Sequence, residues 1–278
     1  MHWTKFTDQR ERVIITLWLR RVGLFITDWP PASSRQSQSN RASAAHLLKM
    51  RDRLFLISGL LGISALAMTL ILALIGPRAT GPLPPGFITP IMAFEFAESE
   101  AEVYRLFEPD GSAAAMDRVN RWDFLYMALY SGFLGAFALA LARHTKETIY
   151  ISAAILALVI FFADVMENMQ LLGLTYRMQL DGGSLEGTLG RLRAYTWLKW
   201  GGLALYFLLL VPYFRGLSGP WRWVWPAALL PATLAVVAFL SRGLANELLA
   251  LSIGFMFLLL TGYALWRSSR PHQVSSEQ

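Results

Sequence analysis

Residues 155–172 read ILALVIFFADVMENMQLL, and this run decides the fold. From Ile155 to Ala163 it is wholly apolar; Asp164, Glu167 and Asn168 then follow at i, i+3 and i+4, which puts them on one face of a helix. A helix this apolar belongs inside a bilayer. Ionisable groups there are costly, so this face is the first candidate for a functional site.

The rest of the chain agrees with a membrane setting. Of its 278 residues, 55% are hydrophobic and only 16% are charged, against roughly 25% charged in an ordinary soluble domain. Apolar runs occupy 54–76, 122–142, 149–172, 195–214, 222–240 and 244–266. Each approaches the roughly 20 residues a helix needs to cross a hydrocarbon core of about 30 Å. Alternating apolar and polar residues, the signature of a barrel strand, are not visible. The expected fold class is therefore all-α: a polytopic integral membrane bundle of six transmembrane helices. Pro226 and Pro231 predict a kink in the fifth.

The chain divides into a basic N-terminal tail at 1–49, the six-helix domain at 50–270 and a disordered tail at 271–278. In the first, ERVIITLWLRRVGLFI has the mixture of apolar residues and arginines of a surface-lying amphipathic helix, and PPASSRQSQSNRASAA reads as a flexible linker. The 54–76 run exceeds the 7–15 residues of a signal-peptide core, so it is read as a retained helix. Lysines and arginines are densest before residue 54 and in the turns at 143–146, 215–222 and 267–270. That distribution predicts cytoplasmic N- and C-termini in a bacterial inner membrane.

Between the first two spans lies a long outer loop, 77–121. Its GPRATGPLPPGF start is a Pro/Gly connector, and Thr89-Pro90 is a helix start with proline at the first position. IMAFEFAESEAEVYRLFE then predicts one interfacial helix over 91–108, with Glu95, Glu98, Glu102 and Arg105 on one face and Phe96, Val103 and Phe107 on another. Lying across the outer mouth, it would be a lid, with Glu95 and Glu98 as its acidic contacts. The competing reading of that acidic face is a solvated surface with no role.

Spans two and three are joined by the short RHTKET turn, so they form a tight antiparallel hairpin. Asp123 and Glu167 are equally far from Thr145 at its centre, so they reach the same depth. Asp123, Tyr126 and Tyr130 share a face at i, i+3 and i+7, and Asp164 lies about a turn deeper than Glu167. In span four, Lys199 reaches nearly the level of Asp164, and a Lys199–Asp164 ion pair is expected because an unpaired charge there would be expensive. Span six adds Asn246 and Glu247 near its outer end. Four helices thus place ionisable residues in one outer layer. A headgroup-reaching role, or a polar network that merely locks the bundle, are the bland alternatives.

Other patterns read as packing. Ser58, Gly62, Ala65 and Thr69 form a small-residue stripe, as do Ser131 and Gly135. Trp197, Trp200, Trp221, Trp223 and Trp225 resemble an interfacial aromatic belt. With no cysteine, and with His2, His46, His144 and His272 all outside the apolar runs, thiolate, haem and histidine-rich metal centres lack ligands. No cofactor is expected, a divalent cation on carboxylate oxygens being the one ion left open. The net charge of +6 reads as topological charge attracted to anionic lipid, and nucleic acid is not an expected partner.

Three functions fit these residues. The leading one is an acidic outer-leaflet pocket of Asp123, Tyr126, Tyr130, Asp164, Glu167, Asn168, Lys199 and Glu247 that binds or transports a cation, a proton, or an amine or lipid headgroup. The second is a structural subunit that meets membrane-protein partners through the N-terminal tail and the 91–108 helix. The third is a lipid-modifying enzyme with a divalent metal on Asp123, Asp164 and Glu167 and Glu247 as base.

Overall fold

The computed structural model describes residues 34–77, 79–180 and 183–270, with side chains from Arg53 onward. Its helices are α1 (Ser34–Ile75), α2 (Pro90–Glu95), α3 (Glu100–Leu106), α4 (Ser112–Thr145), α5 (Ile149–Gln179), α6 (Glu186–Arg215), a 3-10 turn (Pro220–Trp223), α7 (Val224–Leu240) and α8 (Leu244–Ser268). Among the described residues there is no strand. Contacts divide the chain into two units, Met1–Leu47 and Leu48–Gln278. Of the first only the helical backbone from Ser34 is described, so the stretch expected as a flexible linker is helical there. The amphipathic stretch before it and the 271–278 tail lie outside the described residues.

Six segments are long and apolar enough to cross a membrane: Arg53–Ile75, Ser112–Thr145, Ile149–Gln179, Glu186–Arg215, Pro220–Leu240 and Leu244–Ser268. The chain is a multi-pass integral membrane protein with an all-α bundle, as its composition predicts. Consecutive helices from α4 to α8 pack side by side. The α4–α5 turn is tight because Lys146 adopts a left-handed conformation (φ 66°) and its N–H donates to the Ala142 carbonyl. Pro231 lies inside α7. α4, α5 and α6 begin or end well beyond their apolar cores, and these extensions form a collar at the end of the bundle that carries the 76–111 loop. This is called the loop end below.

The half of the bundle away from the loop is filled by aromatic rings. Phe133, Phe137, Phe207, Phe214, Phe257 and Tyr263 are all buried and meet edge to face or tilted. The small-residue stripe of α1 does what its pattern predicts. A Cβ on Gly62 would overlap the Thr261 hydroxyl of α8, and one on Gly59 would overlap Leu265. Ser58 donates to the Phe133 carbonyl of α4 at 3.3 Å.

The 76–111 loop is not a solvent-facing strap. Met92, Ala93, Phe94, Phe96 and Ala97 are buried, and the single helix expected over 91–108 is instead two short helices, α2 and α3. The break has a physical cause. Phe96 turns inward to pack on Trp197 and Trp200, and Ser99 caps α3 by accepting from Glu102 N–H. The acidic face splits accordingly: Glu98 and Glu102 pair with Arg242 at 3.0 and 2.7 Å. Pro85-Gly86 also abuts Gly243 in the α7–α8 turn, where Gly243 has φ 113° and an added Cβ would lie 2.8 Å from the Pro85 carbonyl oxygen. Gly243→Ala therefore combines backbone strain with a clash, and should cost about 1–3 kcal/mol. Thermal unfolding in detergent should show the loss together with faster proteolysis of the 84–107 loop, and an unchanged loop would contradict this docking.

Candidate functional site

Lys199 of α6 is the centre of the site. Its side chain is 7% exposed, and three carboxylates from two different elements surround the ammonium: Glu95 of α2 at 3.1 Å, and Asp164 and Glu167 of α5, the former at 3.3 Å and the latter closer. The expected Lys199–Asp164 pair is present, but as one arm of three. Each carboxylate has a further neutral donor. The Tyr130 hydroxyl donates to Asp164 at 2.6 Å, the Thr196 hydroxyl to Glu167 at 2.6 Å, and the Trp200 indole N–H to Glu95 at 2.9 Å. The ammonium also lies 5.1 Å from the Trp200 ring centroid, within range of a cation–π contact.

This arrangement follows from helical spacing. On α6, Thr196, Lys199 and Trp200 stand at i, i+3 and i+4 and face α2 and α5 together. On α5, Asp164 and Glu167 are one face of the opening motif. The α4–α5 hairpin keeps the register expected from its turn, since Tyr130 meets Asp164, Asn120 meets Asn168 and Asp117 meets Thr175. Glu95 arrives from outside the spans, at the last residue of α2.

The other expected residues divide into two groups. Asp123, Tyr126 and Tyr130 line a cavity of about 470 Å³, together with Glu95, Asp164 and Lys199. Tyr126 and Tyr130 pack against each other with centroids 5.1 Å apart. Asp123 is half-buried and makes no ion pair or hydrogen bond to the described residues. Asn168 is buried and donates to the Asn120 carbonyl.

The second group lies away from the cavity. Glu247 accepts from Ile88 N–H at 2.9 Å, from Thr89 N–H at 2.8 Å and from the Thr89 hydroxyl. It thus holds the start of α2, where the helix dipole favours an anion, and does not form an opposite wall beside Lys199. Glu98 faces Arg242. Glu95, expected on a lid, is instead inside the site.

The cavity has two characters. Its polar end holds Asp123, Asp164, Glu95 and Lys199, and its walls are apolar, with Leu66 and Leu72 of α1, Met116 and Val119 of α4 and Ile253 and Phe257 of α8. Glu167 lies behind Lys199 and does not line it. Formally, one lysine faces Glu95, Asp164, Glu167 and Asp123, an excess of negative charge in a setting of low dielectric. Such an excess calls for a proton or a cation. Among the described residues no group of histidine and carboxylate side chains has the geometry of a metal site.

Comparison with known proteins leaves the site to speak for itself. No family model matches the chain, and no curated protein or solved structure is detectably similar to it.

Sequence reasoning missed Thr196, Trp200 and Asn120. Thr196 and Trp200 could have been found from the i−3 and i+1 neighbours of Lys199, but Trp200 reads equally as part of an aromatic belt. Asn120 lies just outside the apolar run of its span.

Glu95 carries a consequence for pH. Burial raises its carboxyl above the ordinary 4.5, and the Lys199 ammonium, which pulls the other way, does not cancel this. The folded protein therefore retains the Glu95 proton at pH values where the unfolded chain has released it. That contribution to stability is complete below 4.5 and is lost as pH rises through the folded-state value, by up to about 1.4 kcal/mol per pH unit. Thermal unfolding of the detergent-solubilised protein should fall with rising pH in this window, and Glu95→Gln should flatten the dependence. An unaltered slope in that variant would contradict the burial of Glu95.

Proposed function

We propose that the protein binds an amphiphile with a cationic head, an amine-bearing lipid or long-chain amine, in the cavity at the loop end of the bundle. One observation carries this reading: a cavity of about 470 Å³ with apolar walls ends at the Asp123 carboxylate, which makes no direct ion pair among the described residues. A small inorganic cation needs no apolar chamber. An anionic head would meet a net negative surface, whereas an ammonium would meet Asp123 directly, with Asp164 and Glu95 behind it. The apolar tail would lie against Leu66, Leu72, Ile253 and Phe257.

Binding is favoured over transport by the packing of the opposite half. Phe133, Phe137, Phe214 and Tyr263 are buried there and none of them lines the cavity, which supports a one-sided pocket. The enzymatic reading has less support, because Asp164 and Glu167 are turned to Lys199 and Glu247 to the loop backbone. If both termini are cytoplasmic, as the distribution of lysine and arginine suggests, the pocket sits at the level of the outer leaflet.

The test is a pair of probes of equal chain length, dodecylamine and dodecanol, titrated into the protein in nanodiscs with thermal stability as readout. Dodecylamine should stabilise the wild type at concentrations at least tenfold below those dodecanol needs, and Asp123→Asn should remove that preference. Equal effects of the two probes, or an unchanged preference in Asp123→Asn, would overturn the reading.

A further inference from the structure

Polar side chains recur at intervals along the packed faces of α4 and α5. This seam starts at the loop end with half-buried Asp117, whose carboxylate accepts from the Thr175 hydroxyl at 2.7 Å. About one turn further in, Asn168 donates to the Asn120 carbonyl. Asp123 follows after another turn, and Tyr130 bound to Asp164 closes the series. On α4 the steps from 117 to 120 to 123 are each just under a helical turn of about 5.4 Å, while on α5 Thr175 to Asn168 spans about two turns and Asn168 to Asp164 about one.

The middle of this seam is chemically incomplete. Asn120 Nδ2 and Asn168 Oδ1 are both buried and neither has a hydrogen-bond partner among the described residues; both residues are 1% exposed. One atom is a donor and the other an acceptor. Leaving a buried polar group unpaired costs about 1–3 kcal/mol, and native interiors meet such needs with water, which takes two to four polar partners. A water between these two amides satisfies both. In sequence order along the two helices, this pair lies between the Asp117–Thr175 contact and the carboxylates around Lys199.

The cluster at the inner end of the seam has a reason to exchange protons. Facing it are Glu95 from the outer loop, Asp123, Tyr126 and Tyr130 from α4, Asp164 and Glu167 from α5, and Lys199 from α6. The residues of α8 that line the cavity, Ala250, Ile253, Gly254 and Phe257, bring no charge. One ammonium does not balance the carboxylates, so the cluster changes charge by binding or releasing a proton, and that proton reaches water either through the cavity or between the helices. We infer that the α4–α5 seam is a hydrated proton path from the loop end to the carboxylates around Lys199, with a water held between Asn120 and Asn168 at its midpoint. In the step, a hydronium ion at the loop end gives up a proton and becomes water, a proton is passed on along the seam, and one bonds to a carboxylate oxygen, so the cluster becomes more positive by one charge. The path does not depend on a ligand in the cavity, and its test needs none.

The experiment follows hydrogen–deuterium exchange of buried carboxyl groups by infrared spectroscopy of the full chain in nanodiscs, after a switch to D2O buffer. Wild type should show a carboxyl band that shifts quickly. Asn120→Leu and Asn168→Leu, each measured alone, should slow the shift at least tenfold. Asn120→Ser, which leaves room for a second water, should keep it fast and so separates loss of the path from loss of the fold. The competing route is the cavity itself. Gly254→Leu narrows it, since a side chain there meets open space, and should leave the rate unchanged. The inference is overturned if both leucine variants at the asparagines exchange at the wild-type rate, if Gly254→Leu alone slows exchange, or if no exchangeable carboxyl band exists.

Discussion

A lysine ammonium held in the apolar interior of a membrane bundle needs enough negative charge nearby to offset the loss of water, and Lys199 gathers three carboxylates for that purpose. Removing two opposite charges from water costs several kcal/mol per ion, which attraction repays only when the geometry is good and the remaining lone pairs are satisfied. Here Tyr130, Thr196 and Trp200 each donate to one carboxylate, so the cluster has a supporting shell from α4 and α6 as well as its own charges. The requirement propagates outward. It fixes the rotation of α5 and α6, the register of the α4–α5 hairpin, and the depth to which the 76–111 loop must descend for Glu95 to reach its partner.

The 76–111 loop is therefore part of the core. Glu247 and Arg242, both near the α7–α8 turn, hold the loop from one side through Thr89, Ile88, Glu98 and Glu102. Lys199 and Trp200 hold it from the other through Glu95. The close approach of Gly86 to Gly243 allows the backbones to meet. A cavity bounded by such a loop keeps its polar end at a fixed depth, and the apolar contribution of α1, α4 and α8 shapes the rest.

Much of this was readable in the residues. Periodicity and run length gave the six spans, because a membrane imposes a strong length rule on apolar helices. The short RHTKET turn gave the hairpin register, and with it the meeting of the α4 polar face with Asp164. What failed was long-range and local at once. Glu95 and Glu247 carry the same carboxyl group and both sit at helix ends, yet one pairs with Lys199 and the other accepts backbone N–H groups. Only the path of the 76–111 loop decides between them. The helix over 91–108 failed for the same reason, since the inward pull on Glu95 and Phe96 outweighs the propensity of an otherwise good helical sequence. Asn120 and Thr196 carried no signal of their own, because single neutral polar residues are ordinary in such helices.

The central claim is that Lys199 and its carboxylates act as one unit, and a double-mutant cycle tests it most directly. Lys199→Met alone strands buried carboxylates, and should cost about 3–5 kcal/mol in thermal or chaotrope unfolding at neutral pH. Glu167→Gln in the same background should recover a large part of that loss, giving a coupling energy well above the few tenths expected of independent sites. Additive effects of the two substitutions would contradict the cluster and the account built on it.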